Sequence, residues 1–185
     1  MIAEGPPSQA ERDYTNDLES LEILVQSIVR SAMKASASMN VSARKAFMVE
    51  ALADIGVEYG AHAADIAHEY LRDTAKVGED IDLSAPSPDE LPNEKFWDQE
   101  SRYAVWAEDN DWETDEGLTG AQYLMMALGA KIVWKVANDF LARRARGELS
   151  VRVESGVCEY CSSTAMLDSA IPPFHRVCRC RLVRA

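Results

Sequence analysis

Apolar positions in the first part of the chain recur at alternating steps of three and four: Leu18, Leu21, Val25, Ile28 and Ala32. That spacing is one stripe of an amphipathic helix. Pro6 and Pro7 stop the chain before it, Ser8 offers an N-cap, and the polar stretch 36–40 follows, so the pattern predicts a helix over 9–35. Ser42 is a suitable cap for a second helix carrying Ala46, Val49, Leu52 and Ala53. Gly56, Gly60 and Ala64 then form a small-residue row at steps of four. Such a row predicts either close approach of another helix or a break near Gly60. His62 and His68 on this third helical segment are six apart, so they do not share a face as ligands at i and i+4 would. They read as surface or packing residues.

The periodicity fails after Lys76. Residues 81–92 carry Pro86, Pro88 and Pro92 and read as a connection, the best candidate for a mobile or partner-adapting segment. Asn93 caps a short helix to about Ala107, with Phe96, Tyr103 and Trp106 on or near one face. The acidic stretch 108–117 lacks the spacing of an EF-hand and reads as a solvated loop. Thr119 starts the clearest helix, with Ala121, Met125, Leu128, Ile132, Val136 and Phe140 on one stripe and Gly147 as its terminator. Two short runs, 150–153 and 181–184, alternate apolar and charged residues with the period of a strand. The expected architecture is mainly α, a helical domain ending in a small β-hairpin. It divides into N-terminal helices (1–78), an acidic proline-containing connection with a short helix (79–117), a long helix (118–148) and the hairpin (149–185).

At 185 residues the chain fits one domain, and 47% hydrophobic residues suffice for a core. No uncharged apolar run reaches the ~18 residues that a membrane-spanning helix needs, and the first fifteen residues have neither a basic start nor an apolar core. A soluble, non-secreted protein is expected. The net charge of −12 argues against duplex-DNA binding by the whole surface, because phosphate contacts need clustered Lys and Arg. The charge is unevenly spread: fourteen acidic residues against Lys95 and Arg102 between Glu79 and Glu116, then eight arginines against four acidic residues after Phe140. Those arginines (143, 144, 146, 152, 176, 179, 181 and 184) read either as a solvated face balancing the acidic middle or as an edge that meets DNA or an acidic protein surface. Phe96, Trp97, Trp106 and Trp112 exceed what the adjoining acidic loops can cover, so 86–117 is expected to be poorly packed in isolation and ordered against a partner.

All four cysteines fall in the last thirty residues, as Cys158-Glu-Tyr-Cys161 and His175-Arg-Val-Cys178-Arg-Cys180. A CxxC followed by HxxCxC offers five donors where tetrahedral zinc needs four. In a reducing cytosol this set reads more naturally as zinc ligands than as two disulfides. Between the last two, Cys178 is the better ligand, since its HxxC spacing mirrors the CxxC turn while Cys180 stands at the start of an alternating strand. A metal held between the two halves would bring runs 150–153 and 181–184 side by side as a zinc-stapled hairpin.

The stretch from Arg152 through Cys161, with Phe174-His175 and Cys178-Arg-Cys180, resembles the C-terminal signature of the phage Mu F-like minor head proteins. Val57-Glu-Tyr59-Gly60-Ala-His-Ala63-Ala64 resembles a tyrosine-glycine and small-residue helix of the same family, and the likeness covers most of the chain from about Leu24. The resemblance implies a minor capsid or head-morphogenesis protein of a tailed phage. It would meet the portal or major capsid protein during assembly in the host cytoplasm, lie inside the virion, and touch packaged DNA through the Arg-rich hairpin. The competing reading is a cytosolic zinc-ribbon adaptor whose hairpin binds nucleic acid.

Catalytic readings find little purchase. Zinc deaminases need His-x-Glu before Pro-Cys-x-x-Cys, and zinc proteases need HExxH. Neither occurs here. Four protein ligands would close the coordination shell against an activated water. GxxxxGK[ST], GxGxxG and GxSxG are missing as well, and Cys158-x-x-Cys161 lacks the alternating strand and helix context of a thioredoxin motif. The expectation is a structural zinc and no enzyme.

Overall fold

The computed structural model describes residues 3, 5–106, 112–145, 149–152 and 180–184, with 115–117 described by backbone only. The described chain is mainly helical with a small two-stranded antiparallel sheet. Helix α1 spans Gln9–Ala35, and the Ser8 side chain accepts from the Glu11 N–H at 3.1 Å, as a Ser cap should. Its buried stripe is Tyr14, Leu18, Leu21, Val25, Val29 and Met33. Ile28 and Ala32, placed on that stripe by spacing alone, sit at its half-buried margin.

Helix α2 runs without interruption over Val41–Thr74, so no break occurs at Gly60. Its cap is Asn40, whose side chain accepts from the Ala43 N–H at 2.9 Å, and not Ser42. Asn is as good an N-cap as Ser, and it starts the helix one residue before Ser42. The small-residue row does what close approach requires. A Cβ at Gly56 would stand 2.5 Å from the Trp97 ring, and one at Gly60 would touch Val136 and Trp97.

Helix α3 spans Glu94–Trp106, capped by Asn93 through the Phe96 N–H at 3.1 Å. Its buried residues are Trp97, Ser101, Ala104 and Val105, while Tyr103 and Trp106 point outward. The predicted aromatic face is therefore not the packing face. Trp97 is fully buried and Trp112 is 5% exposed, so their own chain covers two of the four aromatics assigned to a partner. Complete burial of one such side chain is worth on the order of 4–6 kcal/mol at most, from ~200 Å² at ~25 cal/mol/Å².

Helix α4 spans Asp115–Arg144 and begins earlier than Thr119; Gly147 lies outside the described residues. The predicted stripe from Ala121 to Phe140 is buried, and so are Ala127, Ala130, Val133, Trp134, Ala137 and Leu141. A helix apolar on so many faces belongs in the middle of a bundle. Helices α2 and α4 each pack on all the others, with α1 and α3 flanking the pair. The stripes led by Leu18 and Ala121 do bury one another. Trp134 Nε1 donates across the α1–α4 interface to the Glu22 carboxylate at 2.7 Å, and Val25 presses on Gly129.

The connection before α3 is tied to the end of α4. Ile81 forms an isolated antiparallel bridge with Ala145, and a 3-10 turn occupies Pro88–Glu90. The Arg144 side chain, only 5% exposed, bonds Ser84 Oγ at 2.6 Å and pairs with Asp82 and Glu90. Strands β1 (Leu149–Arg152) and β2 (Arg181–Arg184) pair antiparallel, with Leu149 opposite Arg184 and Arg152 opposite Arg181.

Candidate metal hairpin and its anchorage

Four of the five predicted ligands, Cys158, Cys161, His175 and Cys178, lie outside the described residues. The fifth, Cys180, immediately precedes β2 and is fully buried within the apolar core. Among the described residues no group of three His, Cys, Asp or Glu side chains could hold a metal ion. What is described is the stem from which the Cys/His segment springs. Its two ends, Arg152 and Arg181, face each other across the strand pair. The pairing of β1 with β2 places the chain ends on either side of residues 153–179 on neighbouring strands.

The stem is fastened to three helices and the N-terminal arm. Asn138 of α4 is fully buried. Its Oδ1 accepts from the Leu182 N–H at 2.7 Å, and its Nδ2 donates to the Cys180 carbonyl at 3.2 Å. The Arg184 N–H donates to the Tyr70 hydroxyl of α2 at 3.0 Å. Tyr70 in turn stacks on Tyr14 of α1, ring centroids 4.4 Å apart and nearly parallel. Burial raises the Tyr14 hydroxyl well above the ordinary tyrosine range and does the same for Tyr70, whose rise the Arg184 N–H opposes. On the other strand, the Ala3 N–H donates to the Val151 carbonyl at 2.9 Å.

Charge completes the fastening. Glu11, 3% exposed, receives the Arg152 guanidinium through two bonds of 2.6 and 2.9 Å, and Arg181 approaches the same carboxylate at 3.6 Å. The Glu11 hydrogen bond raises the Arg152 pKa above the usual arginine value. Arg152 also donates to the Gly5 carbonyl at 2.7 Å. Arg184 pairs with Glu79 just beyond α2. Arg144, Arg152, Arg181 and Arg184 are thus neither a solvated face nor an open cationic edge. They are largely buried partners of acidic residues in the same chain, which cancels charge at short range where desolvation would otherwise be costly. Arg143 is exposed, and Arg146, Arg176 and Arg179 lie outside the described residues.

Glu11, Asn138, Tyr70 and Glu79 were not foreseen as anchors from the sequence. Ser8-Gln9-Ala10-Glu11 carries the spacing of a capping box, yet the Glu11 carboxylate goes to the hairpin. The visible signal was Asn138, a polar residue inside an otherwise apolar helix, which when buried must find partners. His62 is exposed beside Tyr59. His68 bonds the Leu83 carbonyl at 3.1 Å and meets Phe140 edge-on, in keeping with surface and packing roles. No helix among the described residues is long and apolar enough to cross a membrane. Compared with protein-family models, curated proteins and solved structures, the chain matches none.

Proposed function

We propose that the protein is a minor capsid or head-morphogenesis protein of a tailed bacteriophage. It associates with the portal or the inner face of the capsid during assembly in the host cytoplasm and resides inside the virion. The observation that carries this reading is the C-terminal signature, Cys158-x-x-Cys161 followed by His175-x-x-Cys178-x-Cys180, entered by a short Arg-Val strand. One structural zinc joins Cys158, Cys161, His175 and Cys178, a choice favoured by the burial of Cys180 among apolar residues at the base of β2. The zinc stabilises a closed loop and performs no catalysis. Engagement of Arg152, Arg181 and Arg184 by internal carboxylates favours a protein partner over packaged DNA, since guanidinium groups already neutralised within the chain have little charge to offer phosphates.

Co-expression with the portal protein encoded by the same genome tests the proposal, read out by gel filtration and by mass spectrometry of purified virions. The expected result is co-elution with portal and presence in the virion. A protein missing from virions that instead binds nucleic acid through a metal-dependent hairpin would establish the zinc-ribbon adaptor.

A further inference from the structure

The outer faces of α1 and α2 enclose a groove of about 670 Å³, shallow and open along its length. Its floor is apolar: Leu21, Leu24 and Ile66, with Tyr59 and His62 beside them. Leu24 is 48% exposed, a large aliphatic side chain in water. The rim is acidic, with Asp17 from α1 and Glu58, Asp65 and Glu69 from α2, and no Lys or Arg lines it. Among the described residues these four exposed carboxylates make no ion pair. Elsewhere Glu11, Glu79, Asp82, Glu90, Asp98, Glu100 and Asp139 each face an Arg or Lys. Other surface carboxylates also lack an ion pair among the described residues, Glu50, Asp54 and Glu94 among them, but Lys95 and Arg102 line the cleft that holds those three, whereas this floor has no cation at its rim.

We propose that this groove seats an amphipathic helix of a partner protein, apolar on the face that meets Leu24 and Ile66 and lined with Lys or Arg on its flanks. Charge decides the class of partner. An acidic rim repels both nucleic acid and anionic membrane, and its open shape suits a helix better than an enclosed small molecule. Glu58 to Glu69 spans roughly 16 Å of α2 at ~1.5 Å per residue, which matches about three turns of a docked helix. The rim sets orientation and association rate, while the floor supplies the apolar contact. The inference does not depend on the phage reading, because it rests on the α1–α2 surface alone.

A fluorescein-labelled 14-residue peptide, leucine on one face and lysine on the other, serves as the probe, read by fluorescence anisotropy at ~0.1 M salt, where the screening length is ~10 Å. Saturable binding is expected, loosened at least tenfold in Asp65→Lys/Glu69→Lys and severalfold in Leu24→Ser. Asp80→Lys/Asp89→Lys changes net charge equally outside the groove and should leave affinity within twofold. Equal loosening in both charge variants would reduce the effect to overall attraction and overturn the proposal. An unaltered affinity in Leu24→Ser would do the same. A spin label on the peptide gives a direct readout on the unaltered protein: broadening confined to α1 and α2 amides along the groove supports the site, and broadening elsewhere defeats it. Binding of anionic vesicles, or self-association through Leu24 in sedimentation equilibrium, would assign the groove to a different occupant.

Discussion

Asn138 and Leu182 are joined as neighbouring strands would be: the side-chain amide of a buried helix residue takes the strand N–H at 2.7 Å while also reaching the carbonyl two residues earlier. Asn138→Ala would remove both bonds and leave the Leu182 N–H buried without its acceptor. At ~1–3 kcal/mol for each unsatisfied group, the expected loss is about 3 kcal/mol, measured by urea unfolding. Asn138→Asp should cost more, because a carboxylate facing the Cys180 carbonyl has no proton to give. An unchanged midpoint in both variants would mean that water replaces the amide and that the hairpin is held elsewhere.

Gly56→Ala should destabilise by about 3 kcal/mol, since the new methyl would meet the Trp97 ring at 2.5 Å in a core that has no slack. Trp97→Leu in the same chain should recover part of that loss. A double-mutant cycle measures the coupling, and strict additivity would show that the two residues do not meet.

Breaking the ion pair at Glu11 gives a third test. Glu11→Gln leaves the half-buried Arg152 and nearby Arg181 without their counter-charge, with an expected cost of about 3 kcal/mol. Replacing both Glu11 and Arg152 by Met should be milder than either single change, because apolar isosteres tolerate burial. A double variant as unstable as the sum of the singles would contradict this.

Acid should loosen the connection that Arg144 holds. Asp82 is held below its ordinary value of 3.8, first by the Ser84 N–H, and Glu90 below 4.5, first by the Ser87 N–H and then by Arg144. A depressed folded-state pKa stabilises above the unfolded value, and that contribution is lost as pH falls through the folded one. Protection of the Ser84 and Ser87 amides against exchange should therefore fall below about pH 4, before the bundle melts. Protection that persists to the global acid transition would refute this.

Zinc is open to direct measurement. On the proposed reading the purified protein carries one equivalent of metal, and structural sites of this kind contribute on the order of 10 kcal/mol to local folding. A chelator should release the Cys/His loop and expose its thiols, while far-ultraviolet dichroism of the bundle stays largely unchanged because Asn138, Tyr70, Glu11 and Glu79 still hold the stem. Metal-free protein without titratable thiols would establish disulfides instead.

Much of the fold was legible because local rules governed it. The Ser8 cap, the Leu18 stripe and the Asn93 cap each act within one helical turn, and they set the bounds of α1 and the start of α3. The faces chosen by α3 and the arginines were not legible, because long-range partners decide them. Trp97 is buried rather than Tyr103 because Gly56, some forty residues away, leaves room for an indole. Arg152 is largely covered because Glu11 waits on α1. The start of α4 was hidden by an acidic run that looked like loop, whereas acidic residues in a first helical turn suit the macrodipole. Of the candidate site, the two strands were read correctly from their alternation, and the geometry of the Cys/His loop between them lies outside the described residues.

The contacts of β2 bear on how partners can recognise this protein. The outward N–H groups of Leu182 and Arg184 already belong to Asn138 and Tyr70, and the Val151 carbonyl on the opposite margin belongs to Ala3. A strand intruding at β2 would have to evict a buried amide or a stacked tyrosine to reach those N–H groups. The sheet is thereby guarded against extension by other chains and against the edge-to-edge aggregation that small exposed sheets invite. A partner that meets this part of the fold would therefore have to do so through side chains rather than by adding a strand to β2.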